Sequence, residues 1–534
     1  MDEGIRALPV MIAERARQHP DHVFIEEVDG LSLTYAACDD LIRRWASAFR
    51  RIGVEAGDRV VTMLPSSVTA SCAWLGLAWL RAIEVPCNTE YRGRMLGYLV
   101  ANAGADTIVI ADEFIDRLVE VADELPELRT VVVLGTTDTA NATPWVVLSV
   151  DAFLEGVEPA AGLAPPHPSD LCALLYTSGT TGNSKGVCFP WAQLYAQAVG
   201  FLPIEDLTDE DAWYMPYPMH HVTGKTPFYT MILVNGRIVI RRSFDTGAFW
   251  PDIDRHRCTT TALMGPMPQF LMEQDQRADD ADHPLHNVFM VPIPTFLDDF
   301  KVRFGVRVAT SYGSVENSVP IKVEGWGASS ANHRSCGRLR KGFPGYEVRV
   351  VDEHDADVGP GRIGELIMRA SEPWTMNVGY FGMPEKTAEA WRNGWFHSGD
   401  AMTYDEDGNF YFVDRVRDCI RRRGENISSF EVEAEVNAHP DVVESVAIGV
   451  PSEYGEEEIK ICVVTRPGAP LGAEDLVKFL IPRVPRFMVP RYVEFVDSFP
   501  KTEATMRVRK HLLREDPLND RTWDRVSAGI VVPR

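Results

Sequence analysis

From Asp58 onward, short apolar segments alternate with longer amphipathic ones, and this alternation limits the possible folds more than any other feature. Residues 59–63 and 107–110 predict strands, and residues 70–83 and 113–121 predict helices. Strands that alternate with helices are typical of βαβ units, whose strands pair in parallel. The sequence therefore predicts an α/β fold with doubly wound, mostly parallel sheets.

The chain has 534 residues, which is too long for one hydrophobic core, so we expect at least two domains. The Pro- and Ala-rich residues 158–168 predict a connection to a second subdomain, which begins at residue 176. From about Gly345, glycine turns between short strands predict a small β subdomain. A basic cluster at residues 415–423 marks the predicted boundary between an N-terminal domain, 1–414, and a mobile α+β C-terminal domain, 415–534. The C-terminal strands are expected at residues 445–449 and 460–464.

Composition excludes several classes of protein. Apolar content of 45% is ordinary for a globular protein, and a formal charge of −24 opposes general affinity for nucleic acid or anionic membrane. The longest apolar run, residues 68–80, is shorter than the roughly 20 residues needed to span a bilayer and predicts a buried helix. The acidic start, Met1-Asp-Glu-Gly, is unlike a secretory signal. Nine cysteines without a C-x-x-C pair favour reduced thiols, so we expect a cytoplasmic protein.

A segment at residues 176–187 has the composition of a phosphate-binding loop. It follows the apolar residues 171–176, which predict a buried strand, and it lacks the spacing of a Walker loop. Hydroxyls and backbone N–H groups donate to phosphate oxygens, glycine permits close approach, and lysine supplies charge. The residues predicted to contact phosphate are Thr177, Ser178, Gly179, Thr180, Thr181, Gly182 and Lys185. A Ser/Gly-rich linker is the alternative, but linkers rarely lie between a buried strand and an apolar continuation.

Two further segments suit a nucleotide. In Thr310-Ser-Tyr-Gly-Ser-Val-Glu316, the ring of Tyr312 can stack on a purine, Gly313 permits close approach, and Glu316 offers oxygen ligands for Mg²⁺. In Trp395-Phe-His-Ser-Gly-Asp400, the final carboxylate follows a glycine turn and can accept both ribose hydroxyls. A strand-end turn with a solvated glutamate is the alternative for the first segment, and His397 is read as a structural turn residue.

These segments, in this order, resemble the adenylate-forming superfamily of acyl- and aryl-CoA ligases, peptide-synthetase adenylation domains and firefly luciferases. Residues 310–313 and the turn at 289–294 look most like the branch that contains carnitine/crotonobetaine-CoA ligases. The resemblance implies that a carboxylate is joined to AMP, with release of pyrophosphate, and that the acyl group then passes to a thiol. The expected small molecules are ATP, Mg²⁺, CoA and a carboxylic acid. The sequence leaves the oligomeric state open, and a homodimer is what the resemblance suggests.

The resemblance also assigns roles to residues. Tyr312 would pack on adenine, with Ser311 and Gly313 beside it in the cofactor site. Asp400 would contact the ribose and Arg415 the ribose or phosphate, while Glu316 would bind the metal. Thr181 and Glu316 are predicted to take part in catalysis. Val315 stands where relatives have a threonine, which removes one hydroxyl aimed at the α-phosphate.

The acyl pocket is expected around Met215-Pro-Tyr-Pro-Met-His-His-Val-Thr-Gly224, which resembles the superfamily's Pro-x-x-His segment. His220 or His221, with His221 preferred, would lie beside the carboxylate, packing against it or gating the thiol path. A general base is not required, because a carboxylate is ionised at pH 7. Further pocket segments are residues 263–267 and 290–293. Lys225 is a polar exception that could pair with a second anionic group, although a surface lysine with its stem on apolar atoms is favoured.

The resemblance places the interdomain hinge at Arg417 and a loop facing the pantetheine tunnel at Gly424, Glu425 and Asn426. Arg421, Arg422 or Arg423 could meet CoA phosphates, although such a cluster is usually a solvated face.

Near the C-terminus, relatives carry a catalytic lysine in the pattern Pro-Lys-Thr-x-[Ser/Thr]-x-Lys. Here the ungapped position holds Met506, whereas one inserted residue brings Arg507 into the role. Arg507 is preferred, and Lys510 and Lys501 are the alternatives.

The leading prediction is an ATP-dependent carboxylate–CoA ligase. One alternative is an enzyme that delivers acyl-AMP to a carrier protein or amine. Another is a degenerate nucleotide or acyl sensor, which the altered positions Val315 and Met506 suggest. The sequence leaves the acid open, although a medium-sized or bulky one fits the apolar segments.

Overall fold

The computed structural model describes residues 6–138, 143–177, 184–265, 267–332, 335–362, 364–415, 419–422, 425–453, 455–500, 508 and 510–533. The strands are β1 Val23–Glu27, β2 Ser32–Thr34, β3 Arg59–Met63, β4 Ile83–Pro86, β5 Thr107–Ala111, β6 Thr130–Leu134, β7 Val146–Ser149, β8 Leu171–Thr177, β9 Lys185–Pro190, β10 Ala212–Met215, β11 Arg237–Ile240, β12 Thr260–Met264, β13 Asn287–Val291, β14 Arg307–Ala309, β15 Ser311–Ser314, β16 Ser318–Lys322, β17 Ser335–Leu339, β18 Tyr346–Val351, β19 Gly364–Ala370, β20 Phe396–Tyr404, β21 Asn409–Arg415, β22 Cys419–Arg422, β23 Glu425–Ser428, β24 Val442–Pro451, β25 Glu457–Thr465, β26 Tyr492–Phe495 and β27 Trp523–Asp524.

The helices are α1 Leu8–Gln18, α2 Tyr35–Arg51, α3 Val68–Trp79, α4 Gly93–Ala103, α5 Ile115–Val119, α6 Val150–Leu154, α7 Trp191–Phe201, α8 Thr226–Val234, α9 Phe249–Arg255, α10 Met267–Met272, α11 Leu297–Phe304, α12 Pro384–Ala390, α13 Ser429–Asn437, α14 Ala473–Leu480 and α15 Lys510–Glu515. The predicted α/β class is confirmed. Among the described residues, no helix combines the length and apolar character that crossing a bilayer requires.

The chain falls into two compact units. The first comprises residues 1–89, 99–176 and 186–414, and the second comprises residues 90–98, 177–185 and 415–534. The sequence-continuous domains 1–414 and 415–534 stay a prediction.

The first sheet of the first unit has the strand order β7-β6-β5-β3-β4-β8-β9, and its core pairs are parallel. The predicted strands at 59–63 and 107–110 are confirmed. Helix α3 is buried along its length, as the apolar run predicts, but it ends at Trp79 rather than at residue 83. The chain reverses through Arg81, whose φ is 57°, because Ile83 has to begin β4 beside β3.

The second sheet has the order β14-β13-β12-β10-β11-β1-β2, with only β2 antiparallel among the recorded pairs. The prediction that the second subdomain begins at residue 176 is wrong. Strands β8 and β9, which flank the glycine-rich segment, belong to the first sheet because β8 pairs with β4, whereas the N-terminal strands β1 and β2 join the second sheet.

The third sheet is the predicted small β subdomain, with the order β15-β16-β17-β21-β20-β19-β18 and antiparallel pairs. It begins at Ser311, earlier than the expected Gly345, because the hairpin of β15 and β16 extends the sheet. It thereby carries both Tyr312 and Asp400.

The second unit contains a four-stranded sheet, β24-β25-β26-β27, and the ribbon β22-β23. The strands predicted at 445–449 and 460–464 lie within β24 and β25. Their inner faces pack on the apolar side of α14 around Ile461, Leu476 and Val477.

Candidate active site

Tyr312 and Asp400, the two residues predicted to bind the nucleoside, contact each other directly. The Tyr312 hydroxyl donates a hydrogen bond to Asp400 Oδ2 at 2.6 Å. Asp400 is buried, and Tyr312 is half-buried. The third sheet therefore presents an aromatic ring and an oriented carboxylate side by side.

Glu365 of β19 holds the turn before Asp400, a role that no local sequence motif indicates. Its carboxylate accepts a hydrogen bond from the Gly399 amide at 3.0 Å and lies 3.0 Å from His397 Nδ1. Gly399 has φ 71°, a conformation that favours glycine. His397 thus lies in a network that shapes the turn.

The hairpin that carries Glu316 is fixed by polar side chains from outside it. Gln193 Nε2 donates to the Val315 carbonyl at 2.7 Å, and Asn377 Nδ2 donates to the Glu316 carbonyl at 2.8 Å. A Cβ on Gly313 would lie 2.0 Å from the Ser318 carbonyl oxygen, so only glycine fits there. Gln193 is fully buried in α7. In the sequence, the one signal for its role is that a polar amide occurs in an otherwise apolar helix.

Glu316 suits the expected Mg²⁺ as a single ligand. Ser314 Oγ donates to its Oε2 at 3.1 Å. The described residues contain no cluster of three or more His, Cys, Asp or Glu side chains that could hold a metal. In nucleotide sites Mg²⁺ commonly takes one or two carboxylates and completes its shell with phosphate oxygens and water. One carboxylate beside the predicted nucleotide site therefore fits this ion.

Residues 217–225, which we name the histidine turn, carry His220 and His221. At its start, Tyr217 Oη lies 2.9 Å from Thr261 Oγ1, and Ser66 Oγ donates to the Tyr217 carbonyl at 2.7 Å. A Cβ on Gly224 would lie 2.3 Å from the Pro218 carbonyl oxygen, so the turn closes tightly on itself.

The two histidine rings lie next to each other, with centroids 4.5 Å apart. Burial lowers the pKa of His220 well below its usual value, and the nearby His221 and Lys225 lower it further. His220 is therefore neutral at pH 7, and within the part of the chain that the structure describes its Nε2 has no hydrogen-bond partner.

Lys225 contradicts the favoured prediction of a surface lysine. Its side chain is fully buried, forms an ion pair with Glu84 and lies 3.9 Å above the centroid of the Trp74 ring. Glu84 lies on β4, 141 residues away in sequence, so the residues near Lys225 in the chain do not indicate this partner.

The predicted phosphate contacts are described only at their edges. Thr177 ends β8 and Lys185 begins β9, while Ser178, Gly179, Thr180, Thr181 and Gly182 lie outside the described residues. In the second unit, Ser184 Oγ donates to Glu431 Oε1 at 2.6 Å. Burial raises the pKa of Glu431 to about 7, although the hydrogen bonds from Ser184 oppose the shift.

The C-terminal predictions are mostly untested. Arg417, Gly424, Lys501, Met506 and Arg507 lie outside the described residues. Arg415 ends β21, and Glu425 and Asn426 begin β23, where they pair in register with Arg422 and Arg421.

Lys510, an alternative to Arg507, is engaged within the second unit. Its ammonium donates to Ser429 Oγ and to Glu433 Oε1, each at 2.7 Å. These contacts tie the start of α15 to α13, which is a structural role.

Residues 12–381 match the model of the AMP-binding enzyme family, and residues 431–505 match the model of the AMP-binding enzyme C-terminal domain. The chain belongs to the AMP-binding enzyme family. The resemblance to adenylate-forming enzymes is thereby confirmed.

Curated relatives agree with this membership. The chain is 31% identical over 488 residues to a crotonobetaine/carnitine–CoA ligase from Escherichia coli, covering 90% of this chain and 92% of the relative. It is 29% identical over 503 residues to one from Salmonella heidelberg, covering 92% and 95%. The predicted branch is the one to which these relatives belong.

Solved structures share the fold. The amide bond synthetase McbA from Marinactinospora thermotolerans superposes with a TM-score of 0.81 at 23% identity, covering 95% of this chain and 99% of McbA. The o-succinylbenzoate CoA synthetase MenE from Bacillus subtilis, a double mutant with a bound product analogue, also gives 0.81, at 21% identity with 95% and 98% covered.

Proposed function

We propose that the protein is an ATP-dependent ligase that activates a carboxylic acid as acyl-AMP and transfers the acyl group to CoA. The observation that carries the proposal is the hydrogen bond between Tyr312 and Asp400, in a chain of the AMP-binding enzyme family. A ring beside an oriented, buried carboxylate is suited to a purine nucleoside, because the ring stacks on the base and the carboxylate accepts from ribose hydroxyls.

The chemistry has two steps. An oxygen of the acid's carboxylate attacks the α-phosphorus of ATP, and the bond to pyrophosphate breaks. The sulfur of CoA then attacks the acyl carbonyl carbon, the thiol proton is released, and AMP leaves with the electrons of the broken C–O bond. Asp400 and Tyr312 would hold the nucleoside, and His221 would lie beside the acid.

Charge has to be balanced around the phosphates, because the whole chain is acidic. Glu316 would hold Mg²⁺, which neutralises phosphate charge when bound. Lys185 and Arg507 would supply the positive groups of the protein itself. Removing one preorganised donor at developing charge typically costs about 100- to 1,000-fold in rate, which sets the scale expected for Arg507.

The acid is proposed to be medium-sized and largely apolar. Two of the predicted pocket segments, 263–267 and 290–293, are apolar in sequence, although the side chains of Leu263, Met290 and Ile293 themselves pack in the buried core of the second sheet. Lys225, the one cation in these segments, is already paired with Glu84, so no second carboxylate on the substrate is needed to balance it.

The test is mass spectrometry of products from Mg-ATP and a panel of acids, with and without CoA. The panel holds straight-chain, branched and aromatic monocarboxylates, a dicarboxylate and the betaine carnitine. We expect AMP, pyrophosphate and acyl-CoA with an apolar monocarboxylate, and acyl-CoA only when CoA is present. Asp400→Ala is the matched control, because it keeps the acid site and removes the ribose acceptor.

Three results would count against the proposal. Acyl-AMP that accumulates unchanged by CoA indicates transfer to a carrier protein or an amine. Nucleotide binding without turnover across the panel indicates a sensor. Turnover that survives Asp400→Ala unchanged removes the nucleoside assignment.

A further inference from the structure

Deep in the first unit, Lys225 occupies a site that is built to hold an ammonium group. The geometry points to Lys225 as a positioning residue: its ammonium, held by Trp74 and Glu84, fixes the histidine turn and thereby sets the affinity for the carboxylic acid. This inference rests on the proposed function, because it concerns the acid site of that reaction.

The ammonium site has an aromatic face and a carboxylate, both shielded from water. Lys225 and Glu84 are 0% and 2% exposed, and Lys225 Nζ lies 3.9 Å above the Trp74 ring centroid. An aromatic face attracts a desolvated cation more strongly than an exposed one, because water does not compete.

Neighbouring groups hold both parts of this site in place. Thr62 Oγ1 donates to Glu84 Oε1 at 2.8 Å, and the Trp74 indole N–H donates to the Cys172 carbonyl at 2.9 Å. Since β3, β4 and β8 of the first sheet supply Thr62, Glu84 and Cys172, the site is as rigid as the sheet.

The histidine turn connects this site to His221 through short backbone hydrogen bonds. The Lys225 amide donates to the Val222 carbonyl at 3.0 Å, and the Gly224 amide donates to the His221 carbonyl at 3.0 Å. The start of the turn is held on the second sheet by Tyr217, and its end is held on the first sheet by Lys225. Releasing Lys225 therefore removes the side-chain contact that ties this end of the turn, and with it His221, to the first sheet.

The ion pair is better explained by the fixed position that it gives the ammonium than by a gain in folding stability. Replacing a buried ion pair with apolar groups of similar volume is often neutral or stabilising, so stability alone is a weak reason for it. A carboxylate and a ring face define one position for an ammonium, whereas a methyl group would be free to repack. Because misplacement by about 1 Å can cost 100-fold in activity, a fixed position matters beside a reacting carboxylate.

The decisive variant is Lys225→Ala, assayed with and without n-propylammonium chloride. This ion has the three carbons and the nitrogen that the substitution removes. We expect the KM for the acid to rise about 10- to 100-fold while the Kd for AMP stays within about twofold. Propylammonium should recover most of the loss and should raise the Tm of the variant. Sodium chloride at equal ionic strength and 1-propanol should do neither.

A matched control exists in the second unit, where Lys460 and Glu494 form another buried Lys–Glu pair at 2.5 Å. Lys460→Ala should lower the Tm without raising the KM for the acid. If Lys225→Ala fails to fold, the double variant Glu84→Met/Lys225→Met leaves no buried charge and gives the same KM readout.

An unchanged KM for the acid in either Lys225 variant, alongside a lowered Tm, would overturn the inference and leave a purely structural ion pair. Recovery by 1-propanol as good as by propylammonium would overturn it as well. Failure of the proposed function is distinguishable, because it would appear in the wild-type protein as no pyrophosphate release with any acid. In that case the Tm response of Lys225→Ala to propylammonium still reports on the ammonium site.

Discussion

At the scale of single residues, the Tyr312 hydroxyl orients the carboxylate of Asp400. Tyr312→Phe keeps the ring and removes only the donor. A hydrogen bond to a charged group contributes about 1.5 to 3 kcal/mol, so we expect the Kd for AMP to rise roughly 10- to 100-fold by calorimetry.

Tyr411→Phe is the matched control for this experiment. The Tyr411 hydroxyl makes an equivalent bond to Asp405 at 2.7 Å in the same sheet, where no nucleotide contact is predicted. Equal AMP affinity in Tyr312→Phe and wild type would show that the Tyr312 hydroxyl does not orient Asp400 for nucleotide binding.

Single residues also show what the sequence predicts and what it does not. A short local motif predicts each of Tyr312 and Asp400, but their contact spans 88 residues and neither motif indicates it. The prediction of a surface position for Lys225 is wrong for the same reason. Its ammonium contacts Glu84 and Trp74, which lie on other elements. The residues next to Lys225 in the sequence do not indicate these partners, so local composition predicts that the ammonium is solvated.

At the scale of elements, the first turn of α13 carries a carboxylate with an altered proton affinity. Glu431 is buried against Ser184 Oγ, with Arg94 nearby, and its pKa is raised to about 7. An unfolded glutamate releases its proton near pH 4.5, so the folded state binds the extra proton between these values. Stability from this group is therefore full below about pH 4.5 and is lost as pH rises through about 7.

Glu431→Gln should remove this pH dependence. We expect the Tm of the wild type to fall between pH 5 and 8 relative to the variant, by an amount that corresponds to at most about 3 kcal/mol. Glu474→Gln, at an exposed ion-paired glutamate of α14, is the control and should keep the wild-type profile. Parallel profiles for wild type and Glu431→Gln would show that the proton is not bound there.

Element type was easier to predict than element partners. The strand at 59–63 has the expected bounds, because alternation and flanking turns are local signals. The assignment of β8 to the first sheet depends on its pairing with β4, about 90 residues earlier, and no local pattern encodes that choice. The glycine at position 313 predicts that some group approaches the backbone closely. The sequence does not indicate that this group is the Ser318 carbonyl.

At the scale of the whole molecule, the resemblance assigns the coupling of the two half-reactions to a hinge at Arg417. Proline fixes φ near −65° and removes an amide donor, so Arg417→Pro should restrict any backbone change there. We expect ATP–pyrophosphate exchange to continue while thioester formation from supplied acyl-AMP and CoA falls at least about tenfold. Arg417→Ala keeps the backbone freedom and should support both reactions. Equal loss of both in Arg417→Pro would contradict a hinge at this position.

The second sheet also determines when the protein can fold during its synthesis. Strand β1 pairs in parallel with β11, where Ile25 lies opposite Ile238. The ribosome therefore has to add roughly 200 residues after β1 before its partner exists, which takes about 10 to 40 s at typical translation rates. During that time the apolar residues Phe24 and Ile25, fully buried in the finished protein, lack their burial site. Strand β1, the first strand of this sheet to be synthesised, therefore waits for β11 before it can pair in parallel.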